Sequence, residues 1–157
     1  MGLSFHYKGA LKNPKSLKPM IEEVVDMAKA NQWEFTVFEE AFPNDTFFED
    51  AKKDTLYGVC MSPPNCEVVC FTFLSNGKMG SFFHLNQPIS NFENDEPSLF
   101  VKTQFAGALI HKQLIHIFEY LSKKYLENFE LFDEGNYWEP KHEQLLDETF
   151  AKYTNLM

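Results

Sequence analysis

The chain has 157 residues, 44% of them apolar, and a net charge of −9. That length and apolar share describe one globular domain with a sizeable core and exclude a disordered chain. All basic residues are lysine. Without the arginine fork that grips phosphate and guanine, and with excess negative charge, nucleic-acid binding is not expected. No apolar run is long enough to span a bilayer, and the opening MGLSFHYKGA lacks the pattern of a secretory signal, so no membrane contact and a cytoplasmic location are expected.

In chain order, Leu3–Tyr7 alternates as a short first strand closed by Gly9, with Phe5 and Tyr7 inward and His6 outward. Asn13-Pro14 and Ser16 punctuate the start of a helix whose stripe is Leu17, Met20, Ile21, Val24 and Ala28. It fades at Asn31-Gln32, and Trp33–Phe38 alternates as a second strand. The acid-rich stretch from Glu39 to Thr55 is a loop, anchored by Phe42, Phe47 and Phe48. Leu56–Met61 is a third strand, broken by Ser62–Asn65, and Cys66–Leu74 a fourth.

Asn76-Gly77 then predicts a two-residue hairpin into a fifth strand, Lys78–Leu85. In that register Leu74 opposes Met79, Thr72 opposes Ser81 and Cys70 opposes Phe83. One face of the hairpin carries Val68, Cys70, Thr72 and Leu74 with Met79, Phe83 and Leu85, the other Val69, Phe71 and Phe73 with Phe82 and His84. Both faces are apolar, so both must be covered. Helices cover one; a flap from Glu39–Thr55, a ligand or a partner subunit covers the other. Phe71, Phe73 and Phe82 are thus candidates for a binding groove or a dimer surface.

Asn86–Phe100 reads as another loop. The clearest periodicity lies in Thr103–Phe129, a long amphipathic helix with Ile110, Leu114, Ile117, Phe118, Leu121 and Tyr125 on one stripe and Lys112, His116, Glu119 and Lys123 opposite. A strand or turn at Glu130–Gly135 follows, then a last helix opened by Glu139-Pro140. The expected fold is a single α+β domain over residues 1–157. An antiparallel sheet of five to six strands carries the long central helix across one face.

Cys60, Cys66 and Cys70 lack the close pairing of a zinc site, and their odd number argues against a full disulfide framework. His111 and His116 are five residues apart, about 140° around a helix, and cannot share a metal. No metal and no cofactor are expected. His116 belongs to the solvent face, whereas His111 sits on the flank of the buried stripe, where a histidine can serve as a general base or as a core-edge residue. Asp133 and Glu134 beside Gly135, Tyr137 and Trp138 form the leading candidate binding turn. No nucleophile elbow, phosphate loop or dinucleotide fingerprint is present.

The phrases SFHYKG, FEEAFP, YGVCMSPPNCE, FLSNGKM, VKTQFAG with His111 downstream, and DEGNYWE resemble an uncharacterised family of small bacterial proteins. The resemblance spans nearly the whole chain and implies a cytoplasmic domain with no known activity. The element order is similar to TATA-binding-protein-like and helix-grip folds, an analogy that transfers no function. Three functions follow as expectations. The first is a non-catalytic binding module for a protein partner or a small apolar ligand. The second is a small hydrolase pairing His111 with Asp133 or Glu134 in a cleft. The third is a homodimer closed over Phe71, Phe73 and Phe82.

Overall fold

Local periodicity is realised as β1 (Ser4–Leu11), α1 (Leu17–Ala30), β2 (Glu34–Val37), β3 (Tyr57–Ser62), β4 (Val69–Phe73), β5 (Leu99–Lys102), α2 (Ala108–Tyr125) and β6 (Leu126–Asp133). Short 3-10 turns occupy Pro14–Ser16 and Pro43–Asp45. This computed structural model describes residues 4–48, 55–81 and 99–133. The fold is mixed α+β. Among the described residues, the strands form two three-stranded antiparallel sheets, ordered β5-β1-β6 and β2-β3-β4, rather than one sheet of five or six strands.

The division has a local cause. One edge of β1 is shared between two partners. β5 pairs with Ser4–Tyr7, and the hairpin after β4 takes over further along, where Leu11 donates to the Gly77 carbonyl and Met79 to the Gly9 carbonyl, both at 2.9 Å. At the junction the Tyr7 hydroxyl donates to the Cys70 carbonyl at 2.7 Å and accepts from the Cys70 N–H at 3.3 Å. A side chain thus satisfies the backbone groups of β4 that a neighbouring strand would otherwise take.

The hairpin differs by one residue from the expected register. Leu74 N–H donates to the Lys78 carbonyl at 2.8 Å, and Gly77 N–H donates to the Leu74 carbonyl at 2.9 Å. The loop is therefore the three residues Ser75-Asn76-Gly77, with Gly77 at φ +88° in the left-handed position that closes such a loop. Met79 pairs with Phe73 instead of Leu74. Because side chains alternate, the one-residue slip carries Met79 to the Phe71–Phe73 face, where it is fully buried.

Both helices cover that face. α1 buries Leu17, Met20, Ile21, Val24 and Ala28, the stripe expected from the sequence. α2 is shorter than expected. Residues before Ala108 form a turn closed by Ala106 N–H on the Thr103 carbonyl at 3.0 Å. After Tyr125 the backbone extends and enters β6, which pairs with β1 along Phe5–Leu11. Alternating Leu126–Asp133 gains a strand partner there, and pairing outweighs helix continuation. The buried stripe of α2 is also rotated: His111, Leu114, Ile115, Phe118, Leu121 and Tyr125 are buried, while Ile110 and Ile117 are half-buried. Phe118 lies at the centre of the core, its ring 4.5 Å from Tyr7, 4.9 Å from Phe71 and 5.3 Å from Phe5.

The acidic loop is anchored as its aromatics suggested. Phe42 is buried and stacks on Tyr57 at 4.3 Å, and Phe47 meets Phe42 edge-on at 5.0 Å. No helix among the described residues is long and apolar enough to cross a membrane.

Candidate functional site

Three polar side chains from three elements meet inside the core. Thr103 follows β5, His111 lies in the first turns of α2, and Asp133 ends β6. Thr103 Oγ1 is 2.6 Å from His111 Nδ1, and His111 Nε2 is 2.8 Å from Asp133 Oδ1. The side chains of His111 and Asp133 are 0% and 2% exposed, and Thr103 is fully buried. Opposite an ionised carboxylate, which only accepts, Nε2 would donate to Asp133, and in that tautomer Nδ1 would accept the hydrogen bond from the Thr103 hydroxyl. The Phe5 ring stands edge-on to the imidazole at 5.4 Å and closes the site from the β1 side.

This corrects the expected position of His111. It is at the centre of the buried face rather than at its rim, because the whole stripe of α2 is turned toward β1 and β6. The hydroxyl–imidazole–carboxylate order matches the connectivity of a nucleophilic triad, and all three side chains are buried. A cavity beside the start of α1 is rimmed by Lys15, Lys18, Glu22, Glu40 and Asp45 and has none of the three residues in its wall. Sequence reasoning missed Thr103 as the third member. A polar residue at the start of an expected helix carries no local sign of a long-range partner.

The outer face of the β5-β1-β6 sheet has a different character. His6 pairs directly with Phe100 on one side and with Phe132 on the other. The ring centroids are 5.9 Å and 6.4 Å from the imidazole. Phe100 is 58% exposed and Phe132 67%, which makes a three-strand aromatic row on the surface. Lys8 and Glu130, one row along, form an ion pair at 3.2 Å. On the other side Lys102 reaches over the exposed Phe105 ring at 5.6 Å. The sequence does not reveal this row, because Phe100 falls in an expected loop and Phe132 in a short strand or turn without a partner.

Phe71 and Phe73 have the opposite fate. Both are fully buried beneath the helices, so the groove or dimer surface expected on them is filled by the protein's own core. Their side of β4 is the one that faces Phe118. Phe82, Glu134, Tyr137 and Trp138 lie outside the described residues, and of the candidate binding turn only Asp133 is described. Among the described residues no group of three or more His, Cys, Asp or Glu side chains could hold a metal ion. Cys60 and Cys70 face each other across β3 and β4, while Cys66 lies 3.7 Å from the Lys102 carbonyl.

A comparison of the chain with known protein families, curated proteins and solved structures finds no match.

Proposed function

We propose that the chain is a non-catalytic binding module that takes a protein partner on the outer face of the β5-β1-β6 sheet. The observation that carries this reading is the exposed Phe100–His6–Phe132 row. An aromatic centre flanked by charged rows has the anatomy of a protein interface, with an apolar middle and a polar rim. A small apolar ligand needs a concave site that buries most of its surface, and a sheet face offers none. Aromatic rows on sheets also stack single-stranded nucleic acid, but such surfaces lie in a positive groove. A chain of net charge −9 without arginine is a poor match for that role. A cytoplasmic setting and the small bacterial family of the sequence resemblance belong to the same proposal.

The test is site-specific photo-crosslinking in the expressing cell, with a benzophenone amino acid at position 100 or 132 and at the exposed control position Lys29. A discrete heterologous adduct from both sheet positions, absent from the control, supports the reading. Cross-linking only to a second copy of the chain replaces it with the homodimer. Absence of any adduct from either sheet position counts against the proposed face.

The triad-like connectivity of Thr103, His111 and Asp133 favours a second reading, a small hydrolase. It requires the buried Thr103 hydroxyl to become accessible. A fluorophosphonate probe that labels Thr103, and fails to label the His111→Gln variant, would establish it; an unlabelled wild-type chain would remove it.

A further inference from the structure

Cys60 and Cys70 are direct partners in the β3–β4 ladder, and their sulfurs are 2.9 Å apart. The backbone shows what kind of pair they form. Gly58 accepts from Phe38 N–H at 2.8 Å and donates to the Glu39 carbonyl at 3.0 Å. Gly58 therefore turns its peptide groups toward the β2 side, and by two-residue alternation so does Cys60. Cys70 turns its own N–H and carbonyl the other way, to the Tyr7 hydroxyl. The two cysteines are thus a non-hydrogen-bonded antiparallel pair. In such a pair the Cα atoms lie about 4.5 Å apart, which is within the span that a disulfide bridges. Both side chains leave the same face of the sheet, so neither strand has to move far for the sulfurs to join.

We infer that Cys60 and Cys70 are a thiol-oxidation site that closes into a reversible cross-strand disulfide when a low-molecular-weight disulfide is supplied. Cys70 is the point of attack, being half-buried, whereas Cys60 is 7% exposed. The Cys60 thiol donates to the Cys70 sulfur and so holds the Cys70 thiol below its ordinary range, and Cys60 above it. Cys66 has no such neighbour; burial pushes its thiol up to about 12.

The chemistry balances with the small disulfide as oxidant. The Cys70 thiolate attacks one sulfur of that molecule. Its S–S bond breaks, and one small thiolate leaves with the Cys70 proton. Cys60 then gives up its proton and attacks Cys70 Sγ in the mixed disulfide. The second small thiol departs with that proton as the Cys60–Cys70 bond forms. The protein loses two electrons and two protons, and the small disulfide gains them.

The experiment uses the full reduced chain, freed of reductant and incubated with oxidised glutathione before alkylation and intact-mass measurement. The expected product is a monomer lighter by two hydrogens that takes up one alkyl group instead of three. Cleavage after Glu67 separates Cys70 from the other two cysteines, and the linked fragments should persist in the Cys66→Ser variant. Cys60→Ser should instead retain glutathione on Cys70, since the resolving thiol is gone. Three alkylated cysteines after oxidation, a pair that includes Cys66, or only intermolecular disulfides would each overturn the inference.

Discussion

Replacing His111 with leucine tests whether the buried Thr103–His111–Asp133 cluster holds the fold together. The substitution roughly preserves apolar volume but removes both ring nitrogens. Asp133 Oδ1 then loses its donor at 2.8 Å and Thr103 its partner at 2.6 Å, in a site where the two side chains of the pair are 0% and 2% exposed. Breaking one side of a buried polar pair that includes a carboxylate costs about 3–5 kcal/mol, most of it the desolvation of the group left behind. For a chain of this size each kcal/mol moves Tm by about 2–4 °C, so a fall of about 6–20 °C is expected. Urea unfolding followed by tryptophan fluorescence gives the free energy directly. The His111→Leu/Asp133→Leu double variant should regain part of the loss, with a coupling energy of about 2 kcal/mol or more, because it removes both sides of the buried His111–Asp133 bond. Single variants that cost under ~1 kcal/mol and add linearly would refute the reasoning. The cluster also sits directly behind the proposed binding face, since Phe132 precedes Asp133 on β6. His111→Leu should therefore weaken cross-linking from position 100 as well.

Two further expectations concern the helix layer and the sheet. Glu23 on α1 accepts from Tyr120 at 2.5 Å, from Tyr125, and from Lys124 at 3.2 Å on α2. Burial alone would raise its carboxyl, but these bonds outweigh burial and hold it below the ordinary range. A depressed folded value means that the stabilisation is complete above the unfolded value and is lost as pH falls through the folded one. Glu23→Gln should cost about 1 kcal/mol at pH 7, discounted for its partial exposure, and the gap from wild type should close below about pH 4. Urea midpoints at neutral and acid pH measure it, and a gap that does not change with pH would contradict the linkage. Gly58 has φ +118°, and a Cβ there would lie 2.1 Å from the Phe71 carbonyl oxygen. Gly58→Ala should lose on the order of 3 kcal/mol in thermal or urea unfolding, from strain plus displaced β4 backbone; a loss under ~1 kcal/mol would show that the β3–β4 ladder shifts freely.

The stripe of α1, the strand character of β1 through β4 and the outward position of His6 are all legible in the residues. Each depends on spacing within a few positions, which a helix or strand repeats. The anchoring of the acidic loop was legible too, because Phe42 and Phe47 have little reason to sit in a polar stretch unless they pack. What failed were features decided by partners distant in sequence. Asn76-Gly77 announced a hairpin, but whether two or three residues close it is settled by β1, which binds Gly77 and Met79 from outside. β5 is four residues after a polar, proline-rich stretch, and its alternation becomes a strand only because the edge of β1 is open to it. The site shows the same division. His111 was recognisable as unusual on a helix face, but its bonding depends on Thr103 and Asp133, 8 and 22 residues away. Local periods, charge and the stock of aromatic and thiol side chains can all be read along the chain. Which face each period shows to the core emerges only once the elements pack, because burial is a property of the surfaces that meet and not of one segment.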